Sequence, residues 1–292
     1  MDRTTWKAVL VIVKQESRKL KRLPKTTYAD WLIVAMLLWH TAHDRPKYWA
    51  CDRANYRPWF RPRNLPSNSQ FTRRIKSKRC LDILQAVHLK TAQIDQPTSL
   101  SYLDGKPLVV GAASKDLDAK SGHVMGGFAK GYKLHIWATQ DRRIPLFSVQ
   151  SLNRGEQPVA EAMIAHMPLL SDQSLVLADS NYDATKLYHA LAQRNGALLV
   201  KPRGFAKHPK TLEQSGPYRR EALALWTTLA PVARMVYKER IHVEGVLSNL
   251  TCYAGGLGPL PAWVRTISRV RQWVGAKIIL YHVRLRLRLA NP

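Results

Sequence analysis

The alternation of short apolar runs and helical repeats between residues 100 and 200 restricts the fold more than any other feature of the sequence. Three β-rich runs come first, separated by Gly, Asp or Pro turns: "YLDGKPLVVGA", "GYKLHIWAT" and "IPLFSVQS". A helical pattern in "EQPVAEAMIAHMPLL", the strand "LVLA", a capped helix in "DATKLYHALAQRNG" and the strand "ALLVKPR" follow. The order βββαβαβ predicts an α/β domain with a mixed sheet and flanking helices.

Two aspartates stand where such a sheet would bring them together. Asp104 lies in the first predicted strand, and Asp179 ends the apolar run of the fourth in "LVLADSNYD". Three meandering strands followed by a right-handed crossover place the first and fourth strands side by side, so we expect the two carboxylates to be neighbours. For Asp179 the alternative is a turn aspartate that hydrogen-bonds its own backbone. Asp183 is predicted to cap the helix that follows.

A third carboxylate is predicted from a helix late in the chain. The helix is expected to run from Pro231 to about Tyr253, where "AGGLGP" stops it. Tyr237, Arg240 and Glu244 have the spacing i, i+3 and i+7, which at about 100° per residue places them on one narrow face. A phenol, a guanidinium and a carboxylate on one face are unusual for an ordinary core helix. This face therefore suits an active site.

The three carboxylates are hard oxygen ligands of the kind that hold Mg²⁺ or Mn²⁺. Asp104, Asp179 and Glu244 are therefore the predicted metal ligands. Two ions held there would stabilise the entering and leaving oxygens of an in-line phosphoryl displacement. Arg240 is predicted to orient Glu244 or to contact a phosphate, and Tyr237 to stack on DNA or hydrogen-bond to it.

The charge of the chain predicts a polyanionic partner. The chain has 46 Lys and Arg against 20 Asp and Glu, a net charge of +26 that far exceeds what solubility requires. Nucleic acid is the first expectation. A basic packaging or ribosome-associated protein would also explain the charge, but it would not explain the arrangement of carboxylates.

Residues 1–95 are predicted to form a helical, basic DNA-binding region. "DWLIVAMLLW" is compatible with a core helix opened by Asp30, and "SNSQFTRRIKSKRCLDILQAVHL" with a helix capped by Ser67 or Ser69. A basic helix after a capped turn is typical of a helix-turn-helix reader of DNA, and a solvated surface helix is the alternative. Four of its basic residues are the predicted DNA contacts: Arg73, Arg74, Lys76 and Lys78.

Residues 100–292 are predicted to form a second, catalytic domain after a linker at about 91–100. Within this domain the segment "VKPRGFAKHPK" is basic and loop-like. Lys201 and Arg203 are predicted phosphate contacts, which would add affinity and no sequence choice. A loop that is merely soluble fits the same pattern.

Cysteine usage and hydropathy bear on the compartment. Three cysteines without CxxC spacing favour a reducing environment. The longest strongly apolar stretch, "WLIVAMLLWH", has about half of the roughly 20 residues that a bilayer requires, and it lies away from the N-terminus. We expect no membrane segment and no export signal, and hence a cytoplasmic protein.

At the carboxylate motifs the sequence resembles the DDE transposases of bacterial insertion sequences. One group of that family carries Tyr, two residues, Arg, three residues, Glu, six residues and Lys. Here these positions are Tyr237, Arg240, Glu244 and Thr251, so the final lysine is missing. The family's Asp-x-Gly-Tyr-Asp motif corresponds to "DSNYD" at 179–183, and "LDGKPL" and "KGYKLHI" are also similar.

The resemblance implies an RNase H-like mixed sheet with flanking helices and a DNA transposase activity. Such an enzyme uses two Mg²⁺ ions, or Mn²⁺, to cut strands at the transposon ends and to join the freed 3′-hydroxyl to target DNA. Its partners would be double-stranded DNA, namely the terminal inverted repeats and the target, and a second copy of the chain in a homodimer on DNA. A bacterial, nucleoid-associated location is also implied.

Two alternatives to an active transposase stay open at this point. Thr251 in place of the lysine is compatible with a catalytically decayed, transposase-derived DNA-binding protein. An RNase H-like nuclease without joining activity would use the same carboxylates. The two enzymatic readings differ in whether 3′-hydroxyl ends attack a target.

Overall fold

The computed structural model describes residues 1–21, 26–93, 99–167, 169–170, 174–202, 215–253 and 255–290. Contacts divide the chain into two compact units, the first formed by Met1–Gln93 with Asn249–Pro292 and the second by Ile94–Ser248. This division differs from the predicted domains, 1–95 and 100–292, because the C-terminal segment packs with the N-terminal helices. The reason is burial: Ile279, Leu280 and Val283 lie in the same core as the N-terminal tryptophans.

The first unit is helical. Its helices, numbered along the whole chain, are α1 (Arg3–Arg18), α2 (Asp30–Ala42), α3 (Asn68–Arg74), α4 (Lys78–Ala92) and α10 (Ile267–Ala290). Helix α2 is buried continuously from Leu32 to Thr41, which explains its almost uninterrupted apolar sequence. Asp30 does not cap this helix, since its carboxylate binds Arg74 and Arg79 instead. Among the residues described, no helix is both long and apolar enough to cross a membrane.

The basic segment predicted as one helix forms two, α3 and α4. Ser67 and Gln70 form a capping box at the start of α3, so Ser67 is the cap and Ser69 is not. Ser77 caps α4 by accepting the Cys80 N–H at 3.4 Å. The short connection between the helices is of the length that helix-turn-helix motifs use, and recognition of DNA by this region stays a prediction.

The second unit contains a six-stranded mixed sheet. Its strands are β1 (Leu100–Val109), β2 (Lys120–Val124), β3 (Gly127–Thr139), β4 (Leu146–Ser151), β5 (Ser174–Ala178) and β6 (Gly196–Val200). The order is β2-β3-β1-β5-β6, and β4 also pairs with β3. The β1–β5 and β5–β6 pairs are parallel and the others antiparallel, so the predicted mixed α/β sheet is confirmed. Strand β2 was not predicted, because its sequence "KSGHV" lacks an apolar alternation.

Helices flank this sheet. They are α5 (Glu156–Ala165), α6 (Thr185–Ala192), α7 (Pro217–Thr228), α8 (Ala230–Lys238) and α9 (Ile241–Ser248). Helices α5 and α6 share a core with β1 and β5 that includes Leu103, Val159, Val176 and Leu187. This packing fixes the strand ends that carry the two aspartates.

The helix predicted to run without a break from Pro231 to Tyr253 is interrupted. Helix α8 ends at Lys238 and α9 begins at Ile241. The N–H groups of Glu239 and Arg240 bond to carbonyls three residues earlier, which tightens the chain at this point. The prediction of one continuous face for Tyr237, Arg240 and Glu244 therefore does not describe the backbone.

Candidate active site

Asp104 and Asp179 lie next to each other at the sheet. Leu103 of β1 pairs with Ala178 of β5 in the parallel register, and each aspartate is the residue that follows. Both side chains line the same groove. The crossover from β4 through α5 to β5 produces this neighbourhood, as the strand order in the sequence indicated.

Asp104 is largely buried and close to other charges. Its Oδ1 accepts the N–H of Gly105 at 2.7 Å. Burial raises the pKa of Asp104 to about 6, the Arg240 guanidinium opposes this rise, and the negative charges of Asp179 and Glu156 add to it. A nearby cation would therefore stabilise the ionised carboxylate.

Asp179 has the turn role that the sequence left open as the alternative, and its role as a metal ligand stays a prediction. Its Oδ1 accepts the N–H of Asn181 at 2.7 Å and its Oδ2 accepts the Asn181 side-chain amide at 3.0 Å. These bonds cap the single 3-10 turn Ser180–Tyr182. The turn role thus holds the carboxylate in a defined orientation at the strand end, because a carboxylate accepts several hydrogen bonds at once.

Arg240 connects Asp104 with Glu244. Its Nη2 lies 3.2 Å from Asp104 Oδ2, and its Nη1 lies 3.5 Å from Glu244 Oε1. Glu244 is 64% exposed at its side chain, whereas the Arg240 side chain is mostly buried. The guanidinium therefore lies between two of the three predicted metal ligands.

Tyr237 acts on the strand that precedes Asp179. Its hydroxyl donates to the carbonyl of Ala178 at 3.1 Å, and its ring meets Trp226 edge-on with centroids 5.5 Å apart. Burial raises the pKa of Tyr237, so the phenol is a stable donor at neutral pH. In this arrangement the phenol supports the end of β5.

Sequence reasoning missed two charged residues beside the aspartates. Lys133 of β3 and Glu156 at the start of α5 form an ion pair, and both side chains are mostly buried. A Cβ at Gly105 would lie 2.7 Å from Cε of Lys133, so the glycine gives room for this lysine beside Asp104. The available signal is a lysine inside the largely apolar strand "GYKLHIW".

Tyr182 is a buried residue near enough to the acidic groups for their charges to act on its hydroxyl. Its side chain is buried, and its hydroxyl has no hydrogen-bond partner within the described chain. Burial raises the pKa of Tyr182 well above its ordinary value, and the charges of Glu156, Asp104 and Asp179 act in the same direction. The phenol is thus neutral.

The fit of these residues to a divalent cation is partial. Asp104 and Asp179 supply two hard oxygen donors on adjacent strands, which suits Mg²⁺ or Mn²⁺. Over the described ranges, however, no three His, Cys, Asp or Glu side chains come together to hold a metal ion. Glu244 is bonded to Arg240 and is mostly exposed. Asp104 and Asp179 thus suit a divalent cation by their chemistry, and metal binding by all three carboxylates stays a prediction.

The predicted DNA contacts of the first unit have unequal surroundings. Arg73 and Lys76 are exposed. Lys78 is exposed as well, and its Nζ lies 3.0 Å from the Asp82 carboxylate. Arg74 lies 2.6 Å from Asp30 Oδ1 and also donates to the backbone, so its guanidinium is used within the fold. Contact of any of them with DNA stays a prediction.

The predicted phosphate contacts of the second unit follow β6. Lys201 is exposed directly after the strand. Arg203 lies outside the described residues. The predicted role of this basic segment therefore stays a prediction.

Asp183 is not the helix cap that the sequence predicted. The N-cap of α6 is Ala184, without a side-chain bond. Asp183 instead accepts two hydrogen bonds from the guanidinium of Arg219, at 2.8 and 2.9 Å, and its side chain is 2% exposed. Helix α7, which carries Arg219, is thereby tied to the loop that carries Asp179.

Comparison with known proteins gives one distant likeness. No protein family model matches the sequence, and no curated protein matches it. A piggyBac transposase in a synaptic complex with hairpin DNA is structurally similar, with 14% sequence identity and a TM-score of 0.37. The match covers 73% of this chain and 53% of the other, so this chain spans about half the length of that transposase. A likeness at this level assigns neither a family nor a function.

Proposed function

We propose that the protein is a DDE-type DNA transposase with an RNase H-like catalytic unit. The observation that carries the proposal is the placement of Asp104 and Asp179 at adjacent parallel strands, with Arg240 joining Asp104 to Glu244. These residues come from three separate parts of the second unit, which follow one another in the chain order of the family's motifs. The sheet order, with a meander next to two parallel strands, supports the RNase H-like assignment.

The carboxylates would hold the metal ions of this reaction. Asp104 and Asp179 are the proposed ligands of two Mg²⁺, or Mn²⁺, with Glu244 as the third carboxylate. Bound ions would stabilise the charge on the entering and leaving oxygens during strand cleavage and strand transfer. Arg240 would offset part of the negative charge of Asp104 and Glu244 and orient Glu244, and Tyr237 would support the strand end through Ala178.

Double-stranded DNA is the proposed partner. The net charge of +26 suits a polyanion, and exposed Arg73, Lys76 and Lys78 offer phosphate contacts in the first unit. In this proposal the first unit binds the terminal inverted repeats and the second unit acts on the ends and on target DNA. A homodimer on paired ends belongs to the same proposal.

The first experiment is cleavage of DNA that carries the sequences flanking the protein's own gene, in Mg²⁺. Asp179→Asn removes a ligand charge with little change of shape, and we expect cleavage to disappear. Glu161→Gln is the matched control, because this exposed carboxylate lies on α5 away from the groove, and it should cleave as the wild type does. Equal cleavage by the wild type and Asp179→Asn would overturn the proposal.

A second candidate function is a transposase-derived DNA-binding protein that has lost catalysis. The observation that favours it is the arrangement of Arg240 between Asp104 and Glu244, in a described chain that holds no three-ligand metal group. Binding of the flanking sequences without cleavage in either Mg²⁺ or Mn²⁺ would select this candidate. Cleavage without insertion of 3′-hydroxyl ends into a plasmid target would instead select a nuclease.

A further inference from the structure

A groove of about 940 Å³ lies beside the candidate carboxylates. Asp104 and Asp179 belong to its lining, and so do His123, Met125 and Phe128 of the β2–β3 hairpin. The groove thus joins the candidate reaction centre to the hairpin within the second unit. The hairpin residues have no role in the proposed metal site or in the proposed helix-turn-helix.

The hairpin exposes large apolar side chains. Met125 is fully exposed, and Phe128 is 71% exposed. Val124 pairs with Gly127, so the turn between the strands consists of Met125 and Gly126. Gly126 at φ +90° and Gly127 at φ +142° have a backbone that glycine adopts without strain. The rings of His123 and Phe128 pack with centroids 4.0 Å apart. One face of the Phe128 ring is therefore supported while the residue stays open to solvent.

Cationic side chains border the same groove. Lys133 and Arg154 line it, and Arg154 is exposed. Lys133 forms an ion pair with Glu156, which lines the groove too. Proteins that bind single-stranded nucleic acid combine cations along the backbone with aromatic rings on which bases stack. The groove contains both kinds of group within a chain of net charge +26.

We propose that this groove binds an unpaired segment of DNA next to the reacting phosphate, with one base stacked on Phe128 and the backbone near Arg154 and Lys133. The inference rests on the proposed function, because the carboxylates at the groove identify the place of reaction. The segment must be unpaired, since a base inside a duplex is covered on both faces by its neighbours. A strand opened at a transposon end would present such bases.

The test is binding of single-stranded DNA in EDTA, where metal-dependent cleavage cannot take place. The probe is an oligonucleotide of about 20 nucleotides that carries 2-aminopurine, whose fluorescence falls when the base stacks on an aromatic ring. We expect Phe128→Ala to weaken binding roughly tenfold and to abolish the quenching, as for loss of one stacked base. Phe128→Tyr keeps the stacking face and should restore both readouts.

Tyr218→Ala is the matched control. Tyr218 is a partly exposed aromatic residue of the same unit and lies beside His189, with ring centroids 5.9 Å apart, outside the groove. The Tyr218→Ala variant should bind the oligonucleotide and quench its 2-aminopurine fluorescence as the wild type does. Circular dichroism checks that each variant is folded, and Phe128 is exposed enough for its truncation to leave the core intact.

The outcomes separate this inference from the proposed function. Loss of quenching in Phe128→Ala with no Mg²⁺-dependent cleavage by the wild type would support the groove and overturn the enzymatic proposal. Cleavage by the wild type with unchanged binding and quenching in Phe128→Ala would overturn the proposal that the groove binds unpaired DNA, and would leave the proposed function standing. Failure of the wild type to bind the oligonucleotide would overturn the groove proposal as well.

Discussion

Arg240 and Asp104 form an ion pair of 3.2 Å although they are 136 positions apart in the sequence. The contact joins β1 to the interruption between α8 and α9. Because the same guanidinium also reaches Glu244, one side chain contacts two of the three candidate carboxylates. An external cation that bound Asp104 or Glu244 would therefore compete with Arg240.

Arg240→Ala is predicted to separate metal binding from catalysis. Removal of the guanidinium takes away a cation that competes with Mg²⁺ for the carboxylates, and it also raises the pKa of Asp104 further. At a pH well above that pKa Mg²⁺ should therefore bind severalfold more tightly, whereas cleavage should fall about 10- to 100-fold because the phosphate and Glu244 lose their orienting cation. Mg²⁺-dependent thermal stabilisation and cleavage rates are the two measurements. Arg240→Lys is the matched variant, and it should lie between, since an ammonium cannot hold both carboxylates as a planar fork does. Weaker Mg²⁺ binding in Arg240→Ala would contradict the competition between the two cations.

The buried Asp183–Arg219 pair is predicted to contribute strongly to stability. Arg219→Ala takes away both guanidinium bonds to a carboxylate that is almost fully buried, and we expect the free energy of unfolding to fall by about 3 to 5 kcal/mol. Urea denaturation is the measurement. Glu239→Gln breaks the half-exposed pair with His242 in the same unit and should cost no more than about 1 kcal/mol. Equal urea midpoints for the two variants would show that the buried pair is not stabilising.

His40 is predicted to make the first unit sensitive to acid. Burial lowers the pKa of His40 to about 4, and the cations of Lys47 and Lys277 act in the same direction. The Nδ1 of His40 donates to the Arg45 carbonyl at 2.8 Å, which holds the neutral ring in place. Between pH 6.5 and about 4 the unfolded chain binds a proton that the folded chain does not, so stability falls as the pH falls through this window, by at most about 3 kcal/mol.

His40→Gln isolates this effect, because the amide keeps a donor for the Arg45 carbonyl and has no titration. Urea unfolding between pH 7 and pH 4 should show a smaller loss of stability in this variant than in the wild type. His166→Gln, at an exposed histidine, should keep the wild-type pH dependence. Parallel stability curves for the wild type and His40→Gln would refute the assignment.

Neighbouring arginines of α3 are predicted to respond differently to the same substitution. Arg73 is exposed, so Arg73→Gln should leave unfolding unchanged and lower the salt slope of duplex DNA binding by about 1, as for loss of one phosphate contact. Arg74→Gln breaks the bond to Asp30 and should lower the free energy of unfolding by about 1 to 3 kcal/mol. Salt-dependent binding and urea denaturation measure the two effects. A salt slope unchanged in Arg73→Gln would remove Arg73 from the DNA contacts.

Most strands can be predicted from the sequence because a buried sheet requires short runs of apolar residues, and such runs are a local property. Strands β1, β3, β5 and β6 contain short apolar runs, and the right-handed crossover rule then brings Asp104 beside Asp179. Strand β2 has no such run, since it pairs only with β3 through its backbone and carries small or polar side chains. The β2–β3 hairpin, and with it the groove that Phe128 lines, could therefore not be predicted from the sequence alone.

The interruption between α8 and α9 could not be predicted in the same way. The sequence keeps a helical period of 3.6 residues across Glu239 and Arg240. The backbone nevertheless forms a tighter turn at these two residues, and a new helix begins after them. The sequence likewise showed Asp183 before a helix but not Arg219, which reaches it from 36 positions away. Partners of this kind depend on how helices dock, and docking is a property of the whole fold.

The sequence by itself determined the α/β class, the strand neighbours and the identity of the acidic and basic groups, because apolar periodicity, turn residues and charge are local properties. Tertiary structure decided that the C-terminal helix joins the first unit, that Arg240 stands between Asp104 and Glu244, and that Lys133 and Glu156 lie beside the aspartates. These contacts join residues far apart in the chain. Their formation depends on which surfaces bury each other, and no local pattern encodes that choice.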